Sequence, residues 1–202
     1  MRKIPRWVWL AVLLAAIGWL LSGPRPVHRE PGVLAAEAPR QHALDDAPPR
    51  TLDKGDVEFR PLATFSVSAR VLGRADYRWD ALASLVPIDL ALGWGRMSDS
   101  AVLDKVDISQ SGRFYFWHVD AFPIPEREII DSSANMHLIA ADRGVARDIA
   151  RTRVGDVVDF DGYLVEIDWP DGSKARSSLT RSDSGAGACE IVWVEHFAIE
   201  PR

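Results

Sequence analysis

The sequence predicts a β-rich α+β body, built on a small bent-strand barrel with a few short helices and preceded by one N-terminal transmembrane helix. Three observations predict it. Residues 7–21 carry no polar side chain. From about residue 57 the apolar residues recur in short runs with period two, the period of a strand that buries one face. The run 154–169 changes the parity of its apolar residues at Gly162, as a strand with an extra residue or a glycine bend does.

The chain opens on Met1-Arg2-Lys3-Ile4-Pro5-Arg6, a short basic stretch ahead of fifteen apolar residues from Trp7 to Leu21. As a helix that run is ~22 Å long, short of a ~30 Å hydrocarbon core. Snorkelling by Arg6 and local thinning make up the difference, and Trp7, Trp9 and Trp19 lie near its ends, where indoles favour the interface. We read residues 1–23 as an uncleaved anchor contacting the bilayer through 7–21. The rival is a cleaved signal peptide, but Leu20-Leu21-Ser22-Gly23-Pro24 supplies a poor cleavage site. Positive residues before the helix favour a cytoplasmic amino terminus. The expected location is the bacterial inner membrane, single-pass, with the C-terminal domain in the periplasm or outside. Arginine outnumbers lysine 20 to 4, as in chains from GC-rich bacterial genomes. Residues 24–56 hold Pro24, Pro26, Pro31, Pro39, Pro48 and Pro49 with no apolar period, and read as a flexible tether.

Residues 57–202 form the expected globular domain. Phe65, Val67, Ala69 and Val71 fall on one face of a strand over 64–71. The aromatic run 113–119 follows a Ser111-Gly112 turn, and 135–140 and 190–199 are two further strands. In 154–169, Val158 and Phe160 share one parity, and Tyr163, Val165, Ile167 and Trp169 the other. We expect a bend at Gly162 that lets one strand serve both halves of a barrel. The alternative is two strands meeting there. Asp171-Gly172 turns the chain, and 173–179 pairs back. Helices are expected after Ser98-Asp99-Ser100 through Val106, over 125–130, and over 142–151, where Asp142 caps and Val145 and Ile149 face inward.

Four segments carry a resemblance. They are 92–99 (LGWGRMSD), 108–117 (ISQSGRFYFW), 135–139 (NMHLI) and 182–190 (SDSGAGACE). They resemble a group of uncharacterised bacterial proteins with an N-terminal membrane segment, which implies an anchored β-rich body and assigns no catalytic residue. The GDVV…GYLV run is similar to the bent strand of an OB-type barrel, which implies an OB-like body.

Charge narrows the functions. The first 50 residues carry +3 and the remainder −8, so a nucleic-acid partner is not expected. One cysteine excludes an internal disulfide. Cys189 with His137, His118 or His196 could pair a thiol with a base, but the spacing does not demand it, and a buried inert cysteine is the plainer reading. Asp156, Asp159 and Asp161 before Gly162 fail the calcium-loop pattern and read as a solvated face. His118, Asp120 and His137 could ligate a metal, yet strand histidines are commonly structural; no metal or cofactor is expected. The loop 182–188 could offer backbone N–H groups to a ligand, with Asn135 and His137 beside it. The candidate ligand-binding set is Asn135, His137, Ser182, Asp183 and Cys189. The tryptophans at 79, 94, 117, 169 and 193 are expected to fill the core. The expected function is a membrane-tethered, non-catalytic binding or assembly module of the cell envelope, partnered by an envelope protein or a small ligand. The alternatives are an envelope hydrolase using Cys189 with a histidine, and an OB-like nucleic-acid-binding domain.

Overall fold

A computed structural model of the chain describes residues 8, 9, 12, 13, 25–44, 51–180 and 189–202. Most of the expected anchor lies outside this set. Among the described residues no helix is long and apolar enough to cross a membrane.

The strands are β1 (Arg40–Ala43), β2 (Leu52–Lys54), β3 (Val57–Asp76), β4 (Ile88–Gly93), β5 (Asp107–Ser111), β6 (Phe114–His118), β7 (Ser133–Ala140), β8 (Val157–Asp168), β9 (Lys174–Arg176) and β10 (Glu190–Ile199). The helices are short: α1 (Ser100–Leu103), α2 (Glu126–Asp131) and α3 (Arg143–Arg151). The result is a strand-rich α+β fold. Antiparallel pairing runs from β3 to β4 to β7, a parallel pair joins β7 to β10, and antiparallel pairs carry β10 to β8 and β8 back to β3. The sheet is therefore partly ring-like, with β1 and β2 added on β3 and β9 on β8. Such closure leaves few unpaired backbone groups at an edge. The hairpin β5–β6 stands apart as its own two-stranded sheet.

The ring encloses one core, with Phe65, Val67, Leu90, Leu92, Met136, Leu138, Phe160 and Val192 in it. Strand alternation puts the other residues of the same strands outside. There Phe59, Ile139, Val165, Ile167 and Trp193 make a second core. Leu72, Ala91, Met97 and Ile129 make a third, partly covered by Tyr115 and Trp117 of β6. The alternation read at 65, 67, 69 and 71 holds, since all four are buried. Helix α3 starts where expected: Asp142 accepts hydrogen bonds from the Gly144 and Val145 N–H groups, and Val145 and Ile149 face the core. Trp94 and Trp193 are buried, but Trp79 is 94% exposed on the β3–β4 connection, where no strand alternation turns it inward.

The expected switch at Gly162 is corrected. Strand β8 is continuous, and its even residues Val158, Phe160 and Leu164 face the ring core throughout. Its odd residues Tyr163, Val165 and Ile167 face the second core. The parity change thus marks the onset of a second covered face, not an inserted residue. The insertions lie in the neighbours. The register of β3 on β8 shifts between Pro61 and Ala63, and that of β10 on β8 between Val194 and His196. Phe59 and Phe65 consequently share parity but serve different cores, as do Trp193 and Phe197. Gly162 faces the β10 irregularity, and a Cβ built there would overlap the Trp193 carbonyl oxygen.

The segment read as a tether lies against the body in its described part. Val27 N–H donates to Val154 O at 2.7 Å, and Gly32 N–H to Asp99 Oδ1 at 2.8 Å. The Leu34 and Ala35 N–H groups both donate to Ser98 Oγ at 3.0 Å, and β1 pairs with β3. Prolines remove some donors here, but the N–H groups of Val27, Gly32, Leu34 and Ala35 find side-chain and backbone acceptors. Among the described residues, packing against the body therefore already includes Val27, well before residue 57. Gly155 permits this approach, because a Cβ there would overlap the Val27 carbonyl oxygen.

Candidate functional site

Three neighbouring strands build the site on the outside of the ring. The β4–β7 register sets Asp89 opposite His137, and the β7–β10 register sets Ile191 opposite His137. Cys189 precedes β10 and so falls beside Asn135, diagonal to His137. The alternate residues Leu90, Met136 and Leu138 point into the ring core, which leaves Asp89, Asn135, His137 and Cys189 on the outer face. Three of the five candidate ligand-binding residues, Asn135, His137 and Cys189, come together here. Ser182 and Asp183 lie outside the described residues.

Asp89 is fully buried and close to two cations. Its Oδ1 accepts from Arg113 Nη1 at 2.8 Å and lies 2.9 Å from His137 Nδ1, a close ion contact that is off-line for a hydrogen bond. Asp89 Oδ2 is buried and has no hydrogen-bond partner among the described residues. Arg113 sits in the β5–β6 turn with φ 72°, after Gly112 with φ 58°. Two successive positive φ values fit a tight hairpin turn of the kind that ordinarily takes Gly or Asn, so Arg113 there holds local strain. Its contacts hold it in place. The guanidinium donates to Val86 O at 2.9 Å, pairs with Asp80 at 2.7 Å, and stacks 3.7 Å from the Tyr77 ring centre. The Arg113 carbonyl accepts from Asn135 Nδ2 at 3.1 Å and lies 3.9 Å from Cys189 Sγ. Gln110 Nε2 donates to Asn135 Oδ1 at 2.7 Å. A cavity of about 470 Å³ lined by Lys54, Arg74, Tyr77 and Ile149 adjoins Tyr77.

His137 is held between Asp89 and Cys189. Burial opposes its charged form, but the Asp89 carboxylate and the Cys189 sulfur favour it more, and its pKa rises to about 9. Since the folded value lies above the ordinary 6.5, His137 stabilises the fold fully below about pH 6.5 and loses that contribution as pH rises through about 9. Among the described residues, Asp89 and Cys189 act on the imidazole, and Arg113 shares the Asp89 oxygen and carries Asp80 and Tyr77. The urea midpoint should fall across that window in the native chain and fall less in His137→Gln. Equal slopes would remove His137 as the cause.

No family profile, curated protein or solved structure matches the chain.

The remaining candidates lie elsewhere. His118 and Asp120 are exposed, and His196 pairs with Asp161 at 3.0 Å on the surface. Cys189 was expected to be buried and inert; it is half-exposed, because it sits one residue before β10 begins. Asp156 corrects the expectation of a solvated acidic face. It is buried, accepting from Arg153 N–H at 2.8 Å and from Arg202 Nε at 2.8 Å. Sequence reasoning missed Asp89 and Arg113. The available signals were a lone acid inside the apolar run Ile88-Asp89-Leu90-Ala91-Leu92 and an arginine at a turn position that favours glycine.

Proposed function

We propose that this chain is a membrane-tethered module of the bacterial cell envelope. Residues 7–21 hold it in the inner membrane, and an OB-like body on the far side binds its ligand at the outer face of β4 and β7. The observation that carries the reading is the strand order β3–β4–β7–β10–β8, closed by β8 on β3, with the parallel pair β7–β10 and α3 between the third and fourth strands of the ring. In OB-type barrels the second and third strands, flanked by the loops after the first and fourth, form the ligand face. Here those strands are β4 and β7, which carry Asp89, Asn135 and His137. The first connection carries Tyr77 and Asp80, and the second ends at Cys189. This is an argument from fold, and the ligand follows from charge: a body of −8 favours a small molecule or a segment of an envelope protein over nucleic acid.

The test uses the full chain with an export-dependent reporter after Arg202, followed by capture of partners from detergent-solubilised envelopes. We expect an active reporter, membrane fractionation, and capture weakened about tenfold by Gln110→Ala with Asn135→Leu. A silent reporter beside a lit cytoplasmic one overturns the tether. Undiminished capture by the variant overturns the face.

A further inference from the structure

We propose that the row Asp89–His137–Cys189 is a thiol acyl-transfer site, in which Cys189 takes the acyl group of an uncharged ester and water then releases it. The proposal shares the face named above but goes beyond binding. Register sets Asp89 of β4 opposite His137 of β7, and Cys189, one residue before β10, falls beside them from a segment distant in sequence. Their exposure is graded. Asp89 is fully buried, the His137 side chain is 9% exposed, and Cys189 is half-exposed. Cys189 is thus the most accessible residue of the three. A nucleophile beside a base, with the base oriented by a third group, is the general signature of covalent catalysis.

The unbalanced hydrogen bonding of Asp89 is the second observation. Arg113 and His137 crowd one carboxylate oxygen, while buried Oδ2 has no hydrogen-bond partner among the described residues. A carboxylate kept for stability gains most when both oxygens are satisfied, and buried exceptions concentrate where function holds them. Strain at Arg113, whose carbonyl lies against both Asn135 and Cys189, points to the same spot. That the substrate is uncharged is argued from Arg113, a cation beside the row. Its guanidinium is committed to Asp80, Asp89 and the Val86 carbonyl, so it offers no free charge to a substrate carboxylate.

In the first step Cys189 Sγ, its proton held on His137, bonds to the ester carbonyl carbon. The C–O bond to the alcohol breaks, and the departing oxygen takes the proton from His137. Water then attacks the thioester carbon and gives its proton to His137. The C–S bond breaks and the carboxylic acid leaves. The sum is ester plus water to acid plus alcohol, with no change of oxidation state. Asp89 is a positioning residue that orients the imidazole and stabilises its charged form.

The test uses the purified full chain in detergent with p-nitrophenyl acetate as probe. We expect a burst of one equivalent of p-nitrophenol, and one acetyl group on the peptide containing Cys189. Cys189→Ser should lose both. His137→Ala should acylate at least about 100-fold more slowly, and added imidazole should restore part of the rate, which a purely structural histidine does not allow. Asp89→Asn should lower kcat with KM unchanged. Acetylation elsewhere in the chain, an unchanged rate in His137→Ala, or a native rate no faster than that of free cysteine at the same pH overturns the proposal, the last whatever the variants' folding. An inert sulfur with partner capture intact in Cys189→Ser overturns this proposal alone. Normal acylation with a silent reporter overturns only the tether.

Discussion

Asp89→Ala should cost about 3 to 5 kcal/mol of unfolding free energy. Asp89 has no exposed surface, and it compensates Arg113 at 2.8 Å and His137 at 2.9 Å. Removing it leaves Arg113 with Asp80 as its carboxylate partner and takes from buried His137 the carboxylate that favours its charge, so the imidazole either stays charged without that partner or gives up its proton. The cost is a large share of the total stability of a domain this size, typically about 5 to 15 kcal/mol. The loss has a second source in geometry. Arg113 holds φ 72° because its guanidinium is anchored on Asp89, Asp80 and Val86. Without Asp89 the β5–β6 turn is free to relax, and the Gln110–Asn135 bond loosens with it. Adding His137→Leu should recover part of the loss, since it replaces a buried imidazole that has lost its carboxylate with an apolar side chain. Urea unfolding of the two single variants and the double variant measures the coupling. A loss below about 1 kcal/mol in Asp89→Ala would mean that the row is held together by something other than this carboxylate.

Gly162→Val should cost about 3 kcal/mol or more and lower the melting temperature sharply. A Cβ at this position overlaps the Trp193 carbonyl oxygen and crowds the Glu195 N–H. Neither can retreat as a flexible side chain would, because both belong to the backbone of β10. Relief requires β10 to move away from β8 at the point where their register shifts, between Val194 and His196. That motion would open the ring core between Leu164 and Val194. The control is Gly172→Ala, where nothing lies within 4 Å and only the positive φ of 84° is strained. There the cost should be about 1 kcal/mol. Equal losses at the two positions would show that backbone conformation, not the close approach of β10, makes Gly162 necessary.

Much of the body is legible along the chain. The alternation from Phe65 to Val71, the Asp142 cap and the Asp171-Gly172 turn depend on residues within a few positions of one another, and each forms as read. The apolar residues of β8 were also identified, yet their meaning was not. A period of two states which residues share a face, and it does not state whether the opposite face is wet or covered by a second core. In β8 it is covered, so a change of parity that resembles an insertion belongs to a regular strand. The real insertions, at Leu62 and Glu195, are visible only as shifts in pairing between strands. The proline-rich stretch misled for a related reason. Its composition lacks a pattern, but the Ser98 and Asp99 acceptors that receive its N–H groups lie more than sixty residues away.

The candidate site divides along the same line. Asn135, His137 and Cys189 stand out by residue type alone, and the acidic balance of residues 51–202 disfavours a phosphate-backbone partner without any coordinates. Their common neighbours, Asp89 and Arg113, do not stand out, because nothing local pairs an acid in one apolar run with an arginine in a turn 24 residues later. Short-range forces write turns, caps and alternation into neighbouring residues. The meeting of β4, β7 and β10 depends on register and burial across the whole ring, and that is where one carboxylate, one imidazole and one sulfur become a row.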